Sequence, residues 1–153
     1  MHKYLSALLW IIGIQAISFV IVTLIPIDSD LWLDALTQST LTPPDQVFGI
    51  VWPILYLLIA LAGWNIWHNN PSKESKNYFI AQLLLNFAWT PVVILGHCLL
   101  GGIVTSLGVI FSTVMLMRQA CIEKNYTVSG LLTPYLLWML FALYLNTFMW
   151  MHN

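Results

Sequence analysis

Pro43-Pro44-Asp45-Gln46-Val47-Phe48-Gly49-Ile50-Val51-Trp52-Pro53-Ile54-Leu55-Tyr56 is the stretch on which the reading of this chain turns. Two prolines open an apolar run that continues to His68, and Phe48, Trp52 and Tyr56 follow at intervals of four. On a helix that spacing stacks three rings on one face. Membrane spans are dominated by aliphatic residues, so an aromatic row at a helix entrance points to a surface for a flat apolar ligand.

The environment of that row follows from composition. Of 153 residues, 59% are hydrophobic and only 7% charged. Mean hydropathy is +0.82. Soluble domains carry about 25% charged residues, so this chain belongs in lipid. A net charge of -1 without any basic cluster excludes a nucleic-acid partner. Cys98 and Cys121 have no metal-site or CxxC spacing and read as free thiols.

A helix needs about 20 apolar residues to cross a bilayer. Five windows qualify, over 4–26, 46–68, 78–95, 99–117 and 128–150. The first follows Lys3 but is too long for a secretory signal and ends in no small-x-small cleavage pattern. With five spans, Lys3, Lys73, Lys76, Arg118 and Lys124 all fall on one side, while Asp28, Asp30, Asp34 and Asp45 lie on the other. The positive-inside tendency then puts the N-terminus in the cytoplasm and the C-terminus outside, the bacterial cell membrane being the expected location and a mitochondrial outer membrane the alternative. The fold class expected is an all-α membrane protein, a five-transmembrane-helix bundle forming a single domain over 1–153.

The longest connection runs over 27–45 and is amphipathic through Trp32, Leu33, Leu36 and Leu41. It either packs over the mouth of the bundle as a lid or rests on headgroups. Inside the spans, polar residues need partners because no water is at hand. Gln82, Asn86 and Trp89 share one face of the third span; Trp138, Ala142 and Asn146 share one face of the fifth, with Tyr135 just before them. With the aromatic row of the second span they would line an aromatic cavity with a few polar anchors, the make-up of a ligand pocket. Asn and Gln in spans also serve as plain interhelical hydrogen-bonding groups. Trp10, Trp64, Trp67 and Trp150 sit near span ends, where an interfacial belt is expected. Pro91 lies deep enough to kink its helix. The small residues Gly101, Gly102, Thr105, Gly108 and Ser112 allow close helix approach, within the bundle or between copies.

Three motifs in order resemble the TspO/MBR family, the tryptophan-rich sensory proteins, translocator proteins and peripheral-type benzodiazepine receptors. They are Pro43-Pro44-x-x-Val47-Phe48-Gly49-x-Val51-Trp52-x-x-Leu55-Tyr56, Leu85-Asn86-x-x-Trp89-x-Pro91, and Pro134-Tyr135-x-x-Trp138-x-x-x-Ala142-x-x-x-Asn146. The resemblance implies a five-helix bundle, usually a homodimer, that takes a porphyrin (protoporphyrin IX or haem) or a benzodiazepine-site ligand beneath its first loop. By motif, the ligand contacts would be Trp52, Asn86, Trp89, Trp138 and Ala142, with Phe48 and Asn146 close by, Pro43 at the mouth and Trp32 in the lid. In the first loop Trp32 is followed by Leu33, not by the family's frequent tyrosine, and Gln38-Ser39 stands where Lys-Pro is common. No Lys or Arg follows Lys124, so the C-terminal sterol motif of animal members is missing.

Some relatives are proposed to degrade porphyrins, which would involve Trp52 and Trp138. An indole is neither acid nor base, and the spans hold no carboxylate or nucleophile–base pair. His68, His97 and His152 fall at span ends or in short loops, positions of solvated or capping histidines. No metal site is expected. Binding or sensing is therefore preferred to catalysis, and the alternatives are a tetrapyrrole or sterol transporter and a porphyrin-degrading enzyme.

Overall fold

A computed structural model describes residues 2–23, 32–69 and 71–153. Among these, five helices are long and apolar enough to cross a membrane: α1 (His2–Thr23), α2 (Asp45–His68), α3 (Lys73–Thr90), α4 (Leu99–Ile122) and α5 (Tyr126–His152). The third span is continued by a π-helical turn over Pro91–Leu95. The protein is a multi-pass all-α membrane bundle, as composition required. Asp28, Asp30 and the expected end of the first span lie outside the described residues.

Three helices outrun their apolar windows. α3 starts at Lys73, where the Ser72 side chain caps it by accepting from the Ser75 amide at 3.1 Å. α4 continues through Arg118 to Ile122, and α5 runs from Tyr126 to His152. Hydropathy marks where lipid begins, whereas a helix ends where its backbone bonds stop. α2 begins directly after Pro44, with Asp45 in the first turn, where a carboxylate suits the helix dipole. Its interior Pro53 has no N–H to donate, and the Pro53 carbonyl accepts from Gln15 Nε2 of α1 at 2.9 Å.

The helices form a ring: α1 packs along α2, α2 along α5, α5 along α4 and α4 along α3, with slighter contacts from α3 back to α1 and α2. The α3–α4 seam is built on glycines. A Cβ on Gly102 would come within 2.6 Å of Val93 Cγ2, and one on Gly108 within 2.9 Å of Leu85 Cδ1. Gly101, Gly102 and Gly108 are thus used inside the bundle.

Packing differs between the two ends. Toward the end that carries the lysines, Ile59, Phe79, Leu116, Leu132 and Tyr135 form a closed apolar core. There Trp10 lies edge-on to Phe79 and 5.1 Å from Trp67, so Trp10 belongs to a ring cluster over Gly63. Polar links fasten the loops beneath. Asn65 Oδ1 accepts from Asn69 Nδ2 at 3.0 Å and from Asn125 Nδ2 at 2.8 Å. Glu123 accepts from the Ser72 amide, the Ser75 hydroxyl and Gln119 Nε2. Partial desolvation works to raise the Glu123 carboxyl, but these hydrogen bonds outweigh it and hold its pKa below the ordinary value. The opposite half of the bundle is hollow.

Candidate ligand-binding cavity

The row that began the sequence reading forms one wall of that hollow. Phe48, Trp52 and Tyr56 line the cavity from α2, because residues four apart share a helix face. Trp52 stacks on Tyr56 with centroids 5.4 Å apart, and Phe48 meets Trp138 edge-to-face at 5.7 Å. From α3 come Asn86, Trp89 and Thr90, from α5 Trp138, Ala142 and Asn146, and from α4 Ser106. Ser18, Phe19 and Val22 of α1 close another side, and Leu33, Asp34, Gln38 and Thr42 of the first loop cover the mouth. The cavity volume is about 630 Å³, within the range of small-molecule sites.

Three polar features set what the interior can do. The first is an amide–phenol relay. Tyr56 Oη donates to Asn86 Oδ1 at 2.9 Å, and Asn86 Nδ2 donates to Tyr135 Oη at 3.0 Å. The asparagine expected to orient a ligand therefore spends much of its capacity on two buried tyrosines and fixes the α2–α3–α5 junction. The second is Asn146 Nδ2 donating to Ser106 Oγ at 3.2 Å, which ties α5 to α4 at the cavity wall. The third is Trp138, whose indole N–H is shielded from solvent and has no acceptor among the described residues.

The mouth is strapped down. Asn153 Oδ1 accepts from the Thr37 amide at 2.8 Å while its Nδ2 donates to the Thr37 carbonyl at 3.2 Å. The Ser39 and Tyr144 hydroxyls meet at 3.0 Å. Trp32 does not line the cavity but stacks on His97 at 4.3 Å, anchoring the loop to the α3–α4 turn. Pro43 does not line it either, although its neighbour Thr42 does. The described part of the first loop thus lies over the bundle as a lid.

Seven of the nine residues singled out from the sequence meet around one cavity: Phe48, Trp52, Asn86, Trp89, Trp138, Ala142 and Asn146. Comparison with known proteins carries the arrangement further. The sequence pattern of the TspO/MBR family matches residues 6–151. The chain belongs to that family. A tryptophan-rich protein TspO of Archaeoglobus fulgidus is 32% identical over 124 residues, 80% of each chain. One of Chlorobaculum tepidum is 29% identical over 151 residues, 95% of each. The human translocator protein is 27% identical over 127 residues, covering 80% of this chain and 75% of its own length.

In this TspO/MBR bundle the α1 wall had not been expected. Its only sequence signal is the polar pair Gln15 and Ser18 in an otherwise apolar span. Ser106 carries no signal that separates it from its small neighbours in α4. Tyr135 was visible beside Trp138, but its role as the second hydrogen-bond partner of Asn86 needed the helix packing.

Proposed function

We propose that this TspO/MBR protein is a membrane receptor or sensor whose cavity takes a flat, largely apolar ring ligand. The ligand classes are tetrapyrroles such as protoporphyrin IX or haem and compounds of the benzodiazepine-site type. One observation carries the reading: a lidded cavity of about 630 Å³ walled by Phe48, Trp52, Trp89 and Trp138. Aromatic faces take up ring ligands by offset and edge-to-face stacking. Among the described lining residues the titratable side chains are Asp34, Asp45 and Tyr56, which form no nucleophile–base pair; binding is favoured over turnover. The homodimer rests on family resemblance, since the glycines of α4 are taken up against α3.

The test is a titration of the purified protein in lipid nanodiscs with protoporphyrin IX, followed by porphyrin absorbance and tryptophan quenching. Trp52→Ala removes a stacking face and is expected to weaken binding about tenfold. Trp150→Ala, at an exposed position of α5 outside the lining, is expected to leave it unchanged. Equal affinity in Trp52→Ala and wild type overturns the assignment.

A further inference from the structure

The two ends of the cavity-bearing bundle differ in charge as well as in packing. Lys3 starts α1, Lys73 and Lys76 start α3, and Arg118 and Lys124 lie at the end of α4, so every Lys and Arg of the chain sits at the closed end. The mouth is at the other end, and among the described residues the charged side chains in its lining are Asp34 and Asp45, both exposed. His97 and His152 are the histidines described at that end, one stacked on Trp32 and the other on Phe148, and the neutral side chains Cys98 and Tyr144 lie there too. A helix N-terminus is ordinarily attractive to an anion, but at α2 Asp45 already occupies the first turn.

We infer that Asp34 and Asp45 make the cavity selective by charge, so that it prefers neutral or cationic ring ligands to ring ligands bearing carboxylates. This rests on the ring-binding reading above and narrows it. A ring ligand with ionised carboxylates cannot bury them among Trp52, Trp89 and Trp138, because an unpaired charge in an apolar site is heavily penalised. Its acidic edge must therefore point to the mouth. There it meets two carboxylates of its own sign and no lysine or arginine. The same ring with its acids esterified keeps shape and stacking but loses the repulsion. Coulomb interactions between partly hydrated charges less than a Debye length apart amount to about tenfold in affinity at low salt and shrink as salt is added.

The experiment compares protoporphyrin IX with its dimethyl ester, in phosphatidylcholine nanodiscs at low ionic strength and pH 8, for wild type and D34N/D45N. The quantity read is the ester-to-diacid affinity ratio. Comparing proteins in the same lipid cancels the greater partition of the ester into the bilayer. The expected result is a ratio about tenfold lower in D34N/D45N, with the wild-type ratio also falling toward it at 0.5 M salt. Single variants D34N and D45N are expected to fall between. A ratio equal in wild type and D34N/D45N overturns the charge inference while leaving the ring-binding reading in place. Failure of both compounds to bind wild type overturns the ring-binding reading, and the charge inference with it.

Discussion

Asn86 and Gln82 lie one turn apart on the same face of α3, are both buried, and have opposite fates. Asn86 joins Tyr56 to Tyr135, whereas neither amide atom of Gln82 has a partner among the described residues. Hydrogen bonds between membrane helices contribute about 0.6 kcal/mol on average and up to about 1.7, while a buried amide without partners costs stability. Tyr135→Phe is therefore expected to lower stability by about 1 kcal/mol, and Gln82→Met to leave it unchanged or raise it. Thermal unfolding in detergent reads both. A Gln82→Met protein that loses as much as Tyr135→Phe would refute this division of roles. The sequence placed both amides on one face correctly but could not separate them, because partner choice depends on which tyrosines the neighbouring helices bring to that depth. The same limit explains Trp32: its type suited a ligand contact, and the fold gives it His97 instead.

At the scale of elements, α3 and α4 approach through Gly102, and the lid is held by the end of α5. Val93 is fully buried and its β-branched side chain is stiff, so it cannot yield to a Cβ arriving at 2.6 Å. Gly102→Ala is expected to destabilise by about 1–3 kcal/mol through overpacking. Gly130→Ala in α5, where nothing lies within 4 Å, is expected to be neutral or stabilising because alanine is the better helix former. Equal unfolding midpoints for the two variants would remove the case for a glycine-dependent seam. For the lid, Asn153→Ala deletes the paired bonds to Thr37 and Tyr144→Phe deletes the contact with Ser39. Each net bond is about 0.5–1.5 kcal/mol, so ligand release measured by stopped-flow displacement is expected to speed up severalfold. An unchanged release rate in both would show that the strap does not gate the site. Helix number and order were legible because each span is a long apolar run. The start of α3 and the end of α4 were not, since both helices continue through charged residues.

Across the whole molecule, burial and charge are segregated along one axis: a packed, basic end and a hollow, acidic one. That polarity is what the sequence carries most directly, since the assignment of all five Lys and Arg to one side needs only the span count. It also predicts orientation, because basic ends stay in the cytoplasm. The two native cysteines report it without added tags. Cys98 precedes α4 at the hollow end, and Cys121 lies in its last turn, beside Ser129 at the basic end; both are exposed. In intact bacterial cells expressing the protein, a membrane-impermeant maleimide is expected to label Cys98, as shown by loss of signal in Cys98→Ser. Cys121 is expected to react only after permeabilisation, with Cys121→Ser as its control. The opposite pattern would turn the bundle over and place the lidded mouth in the cytoplasm. Labelling of both sites in intact cells would indicate mixed orientation. In either case the ligand would meet the cavity from a different compartment than the charge distribution implies.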